Sequence, residues 1–209
     1  MSENYLNIIA KDKVYPIIRN KDAEKTVEIA KALINGGIRV LEINVESPEI
    51  YEAIREVSRY ATVCAGGIIT STQADWTLQN GAKLFASPIF QMNLVKISKN
   101  IGIPFIAGTT TAKEAYEAWK TRIQLIKLFP AEAMGGTQYV ENILRQMPFL
   151  HLMPTGDIKL NNVVSYLNAG AVAVGVGRDF YHGYSPAEIT ERTKDILNEV
   201  GDFIKWNQK

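Results

Sequence analysis

The chain has 209 residues, of which 46% are hydrophobic and 22% charged, with a formal net charge of +1. This length and composition fit one globular domain with a sizeable core, and the near-zero charge gives no sign of a nucleic-acid or membrane surface. The single cysteine, Cys64, excludes an intramolecular disulfide and fits a reducing compartment.

The predicted elements alternate from the first to the last. After a short N-terminal extension, Val14–Arg19 reads as a strand, and Ala23–Ile34 as a helix whose Val27, Ala30, Leu33 and Ile34 share one face. Gly36-Gly37 ends that helix. There follow strand Val40–Asn44, helix Pro48–Arg59, strand Thr62–Ala65, helix Thr72–Asn80, strand Leu84–Ser87 and helix Leu94–Asn100. The second half continues with strand Phe105–Gly108, helix Ala112–Thr121, strand Gln124–Phe129 and helix Gln138–Gln146. Strand His151–Pro154, helix Leu160–Asn168, strand Ala171–Gly175 and helix Pro186–Trp206 complete the series.

The strands are short continuous apolar runs, as expected of buried parallel strands. Strands and helices in strict alternation predict a single (β/α)8 TIM barrel spanning residues 1–209, with a doubly wound open sheet as the alternative. In a barrel, chemistry gathers at the C-terminal ends of the strands. No basic segment followed by an apolar one opens the chain, and no apolar run approaches the ~20 residues that cross a bilayer, so the expected location is the cytoplasm.

Two charges stand where a strand should be dry. In Val40-Leu41-Glu42-Ile43-Asn44, alternation turns Leu41 and Ile43 toward the helices and Val40, Glu42 and Asn44 into the barrel. In Ile126-Lys127-Leu128-Phe129, it turns Lys127 and Phe129 inward. Burial strips an ammonium of its hydration and favours the neutral amine, which attacks a carbonyl to form an imine. A nearby carboxylate then shuttles protons. The plainer alternative is a buried ion pair that only fixes the core.

The run Lys127-Leu128-Phe129-Pro130-Ala131-Glu132-Ala133 resembles the Schiff-base motif of the 2-keto-3-deoxy-6-phosphogluconate (KDPG) and 4-hydroxy-2-oxoglutarate (KHG) aldolase family. Further segments resemble that family in order. They are Gly36–Ile43, Ala65-Gly66, Ser87-Pro88, Ile103–Gly108, Pro154-Thr155-Gly156 and Ala173–Gly177. The resemblance implies a class I aldolase that cleaves a 2-keto-3-deoxy (phospho)sugar acid or 4-hydroxy-2-oxoglutarate to pyruvate and an aldehyde, with no metal or other cofactor. It implies Lys127 as the imine-forming nucleophile and Glu42 as the general base. Arg19, Gly66, Gly67, Pro88, Phe129, Thr155, Gly156, Asp157, Gly175, Gly177 and Arg178 would bind substrate. Its members are typically trimers, so a homotrimer is implied as well.

Four positions depart from the family pattern. Glu46 stands where many members carry an arginine that grips the pyruvate carboxylate, and Gly67 replaces a threonine. Asp157 replaces a glycine in the loop that offers backbone N–H groups to the substrate phosphate. Two like charges near 4 Å cost roughly 1–4 kcal/mol at effective dielectrics of 80 to 20. Arg178 replaces a serine, and could pair with Asp157 or hold a substrate anion itself. These departures predict an altered distal pocket. They also leave room for a barrel that keeps the lysine and binds a keto or sugar acid without turnover. A phosphosugar isomerase would leave the inward lysine unexplained. Cys64, His151, Trp76, Tyr116 and Trp119 read as packing residues, and His151 and His182 form no ligand cluster.

Overall fold

The computed structural model describes residues 5–207. Eight parallel strands run β1 (Val14–Ile18), β2 (Val40–Asn44), β3 (Thr62–Gly66), β4 (Leu84–Ser87), β5 (Phe105–Thr109), β6 (Ile126–Leu128), β7 (Leu152–Pro154) and β8 (Val174–Val176). Among the described residues the α-helices are α1 (Tyr5–Asp12), α2 (Ala23–Asn35), α3 (Ile50–Val57), α4 (Ser71–Gln79), α5 (Met92–Ile101), α6 (Ala112–Lys120), α7 (Gly136–Gln146), α8 (Val163–Asn168) and α9 (Pro186–Asn207). The helix expected over Leu160–Asn168 begins as one 3-10 turn, Leu160–Asn162, and a second 3-10 turn, Arg178–Phe180, follows β8.

The strand order β7-β6-β5-β4-β3-β2-β1-β8 is closed into a barrel by a parallel bridge between Thr155 and Gly175. Following the pairings from position 17 passes through positions 42, 64, 84, 104, 123, 149 and 169 and returns to position 9. The return falls eight residues short of the start, which is the shear of a TIM barrel. The open doubly wound sheet is thereby excluded.

Strand parity divides the apolar residues into two cores. Leu41, Ile43, Ile126 and Leu128 pack outward against the helices, in one cluster with Leu33, Ile54 and Val140. Tyr15, Ile17, Val40, Cys64, Leu84, Ile106, Leu125 and Met153 fill the barrel interior. Helix starts are set locally. Asp22 accepts from the Lys25 amide at 3.0 Å, and capping boxes Thr70/Gln73 and Thr111/Glu114 open α4 and α6.

The short N-terminal extension before β1 is helical over Tyr5–Asp12, and its Leu6 and Ile9 are buried in the interior cluster. That cluster includes Val40, Leu125 and Ala173, which lie at or just before the starts of β2, β6 and β8, so α1 plugs the N-terminal end of the barrel.

Tyr15 is fully buried, and its hydroxyl sits beside Glu42 and Cys64, close to both but outside full hydrogen-bond geometry. Burial, then the neighbouring Cys64 and Glu42, push this phenol well above its ordinary value. A buried hydroxyl without a partner costs about 1–3 kcal/mol. Tyr15→Phe is therefore expected to raise Tm by about 2–4 °C or more in scanning calorimetry. A fall of that size would mean that the hydroxyl is bonded in solution.

Candidate active site

β2 and β6 lie four strands apart in either direction around the closed barrel. Their inward side chains therefore meet across its centre. Lys127 Nζ donates to both oxygens of Glu42, at 2.7 and 2.9 Å. Lys127 is 7% exposed and Glu42 0%. Moving two charges out of water is costly, and close two-point contact offsets part of that cost.

Lys127 sits at the base of a cavity of about 340 Å³ at the C-terminal end of the barrel. Of the residues expected to bind substrate, Arg19, Phe129, Thr155, Gly156, Asp157, Gly177 and Arg178 line it. Thr155 is 2% exposed, and its hydroxyl has no hydrogen-bond partner, so a polar group is available at the cavity wall. A cavity of about 730 Å³ opens beside α1 at the opposite end, lined by Leu6, Trp119 and Phe149 among others. It holds no buried pair of charges, so size does not locate the chemistry here.

The loops around the mouth are tied to the strands. Phe129 N donates to Thr109 O at 2.8 Å, and Thr110 Oγ1 to Phe129 O at 2.8 Å. Ala131 N donates to Thr155 O at 2.7 Å, beyond a cis Phe129–Pro130 peptide bond. Gly156 has φ +104°, and a Cβ there would lie 2.9 Å from Pro130 Cα, so only glycine lets these two loops close together.

The remaining expected residues do not line this cavity. Gly66 stands directly behind the base, where a Cβ would fall 2.3 Å from Glu42 Oε1 and 2.0 Å from the Asn44 amide. Its missing side chain makes room for the Glu42 carboxylate and the Asn44 amide. Gly175 pairs with Thr155 across the closing seam. Gly67 follows β3 with φ +76°, and the Pro88 backbone packs against Gly108.

The charges near the rim are sorted by their partners. Arg19 Nη1 lies 3.8 Å from Glu46, a half-exposed contact of small strength. Asp179 pairs with Lys159 at 3.1 Å and Arg192 at 3.8 Å, and accepts from Leu160 N at 2.9 Å. The pairing of Asp157 with Arg178 that the sequence left open is absent among the described residues, and Arg178 forms no ion pair there. Asp157 has φ +55°, which aspartate tolerates better than most side chains.

Asn44 was legible as inward but was not marked as part of the site. It is 3% exposed. A guanidinium only donates and a carboxylate only accepts, so its neighbours dictate how the amide faces. In that orientation it donates to Glu42 Oε1 at 2.9 Å and accepts from Arg19 Nε at 2.8 Å and Nη2 at 3.1 Å. The signal was its position two residues after Glu42 on the same strand face. Cys64, paired in register with Glu42, is fully buried. Burial, with the Glu42 charge adding to it, pushes its thiol far above the ordinary range. It stays a thiol at neutral pH and acts as filling.

A TIM barrel that carries one inward lysine, buried against one carboxylate at the base of a C-terminal cavity, has the makings of a Schiff-base aldolase. Known proteins agree. The profile described as KDPG and KHG aldolase matches residues 6–192, and the chain belongs to that family. It is accordingly an aldolase, a carbon–carbon lyase. It is 34% identical to the 2-dehydro-3-deoxy-phosphogluconate aldolase of Treponema pallidum, over 74% of this chain and 75% of that one. It is 32% identical to the KHG/KDPG aldolase of Escherichia coli K12, over 77% of each. The crystal structure of the Legionella pneumophila KDPG aldolase, with pyruvate captured as a covalent carbinolamine, matches with TM-score 0.84 and 27% identity. That match covers 94% of this chain and 99% of the other.

Proposed function

We propose that Lys127 and Glu42 cleave a 2-keto-3-deoxy sugar acid that carries an anionic group at its distal end, read by Arg178. The buried pair across the barrel carries this reading. Lys127 Nζ attacks the C2 carbonyl and water leaves, giving an iminium. Glu42 removes the C4 hydroxyl proton, directly or through a water. The C3–C4 bond breaks, its electrons pass into the iminium to form an enamine, and the aldehyde departs. Glu42 returns the proton to C3, and water hydrolyses the imine to pyruvate and the free amine.

Arg19 grips the substrate carboxylate in place of the arginine that Glu46 displaces, and Thr155 offers its unpartnered hydroxyl. Phe129 forms the cavity wall. Arg178, which has no carboxylate partner among the described residues, takes the distal anion, while Lys159 stays committed to Asp179. Asp157 on the same wall favours the opposite reading, an unphosphorylated substrate. Turnover of phosphorylated against unphosphorylated 2-keto-3-deoxy sugar acids, followed by pyruvate release, decides between them. Arg178→Ser is expected to lower kcat/KM for the phosphorylated substrate by about 10–100-fold, the worth of a hydrogen bond to a charged group. An unphosphorylated preference that Arg178→Ser leaves intact would overturn the assignment. Membership of the family supports a homotrimer, which sedimentation of the purified chain tests, and a cytoplasmic location, which fractionation of the cells that make it tests.

A further inference from the structure

We propose that Asn44 is a positioning residue that locks the general base and the carboxylate grip into one unit. The inference rests on the roles proposed above for Glu42 and Arg19. Three side chains form a continuous chain. Arg19 donates twice to the Asn44 amide oxygen, at 2.8 and 3.1 Å, and the Asn44 nitrogen donates to Glu42 Oε1 at 2.9 Å. Lys127 completes it from the far side of the barrel.

The chemistry gives this link a task. In the resting site Lys127 Nζ donates two hydrogen bonds to Glu42, one to each carboxylate oxygen. Once that nitrogen is part of an imine, it keeps at most one hydrogen. Glu42 then loses at least one of its two bonds to Lys127 at the stage when it must take a proton from C4. The Asn44 amide does not change through the cycle. It keeps the carboxylate in place and gives its charged form a donor. Its other end fixes the direction of the Arg19 side chain, which is half exposed and otherwise held only by the 3.8 Å contact to Glu46.

The neighbouring strand is shaped for this amide. Asn44 pairs in register with Gly66, and any side chain at 66 would collide with the amide and with Glu42 together. Asparagine suits the position because it alone presents a neutral acceptor to Arg19 and a donor to Glu42 at this length. Leucine would match its size and lose both contacts. Aspartate would keep the acceptor and set a second carboxylate against the base.

Those two substitutions separate the two contacts. Asn44→Asp is expected to move the acid limb of the kcat–pH profile up by about one unit or more, with KM for the 2-keto acid within about twofold of the parent. Asn44→Leu is expected to raise KM about tenfold or more and to displace the same limb. Titration of the Glu42 carboxylate carbon by ¹³C NMR in the substrate-free protein should follow the Asn44→Asp displacement. A structural role alone would lower Tm and kcat while leaving limb, KM and titration where they were, and that result would overturn the proposal. Borohydride trapping of pyruvate on the parent protein tests the aldolase reading separately. If no adduct formed on Lys127 that reading would fall, and the carboxylate titration would still decide the case of Asn44.

Discussion

Lys127→Ala is expected to remove turnover by about 10⁴-fold or more, the scale seen when a covalent nucleophile is deleted from an enzyme. Among the described residues no other lysine lines this cavity at its base; Lys159, at the rim, is paired with Asp179. The loss should therefore not be rescued by a neighbour. The measurement is steady-state pyruvate release, paired with borohydride reduction in the presence of pyruvate and peptide mass spectrometry. The parent should carry the reduced adduct on the peptide containing Lys127, and the variant none. Residual activity within tenfold of the parent would remove Lys127 from the mechanism. The variant also strands Glu42 in the barrel with Asn44 as its remaining donor, so Lys127→Met, which refills the volume, is the better partner for stability measurements.

Glu42→Gln should show a different signature. It leaves Lys127 in place but removes the group proposed to accept and return the C4 and C3 protons. A fall in kcat of about 10²–10⁴-fold is expected, the usual worth of a positioned acid–base group. Pyruvate should still be trapped on Lys127 in this variant, because the amine that forms the imine is retained. Breaking a buried pair by removing one partner costs about 3–5 kcal/mol, so urea unfolding should register a loss of that order. A variant that loses trapping as fully as Lys127→Ala would make Glu42 essential to the nucleophile rather than to the cleavage. One that unfolds at the parent midpoint would show that the pair contributes nothing to stability.

Strand parity carried most of what the sequence disclosed. Alternation in β2 and β6 placed Glu42 and Lys127 on the inner face from residue types alone, and the outer and inner clusters follow that parity. Parity says which way a side chain points, and not how far the opposite wall is. That the two charges span the barrel centre needed the closed strand order. Helix α1 is hard to read from the sequence because its inward residues, Leu6 and Ile9, make a single short stripe. The inward position of Asn44 is legible in the sequence but its role is not, because an asparagine becomes informative only when its amide is found between a carboxylate and a guanidinium. The open question over Asp157 and Arg178 was one of loop geometry. The backbone at Asp157 turns left-handed, and it is Asp179, one residue on from Arg178, that collects the nearby cations. Nothing in the local pattern encodes that choice.

The plug formed by α1 has a kinetic meaning. With the barrel interior packed by side chains and its lower end covered by Leu6 and Ile9, a substrate, its products and hydrolytic water would share the one doorway at the C-terminal end. In the proposed mechanism the aldehyde would then have to leave, and the enamine take its proton, before water hydrolyses the imine and pyruvate departs. A second aldehyde entering by the same route before that protonation would meet the enamine, which is cleavage in reverse.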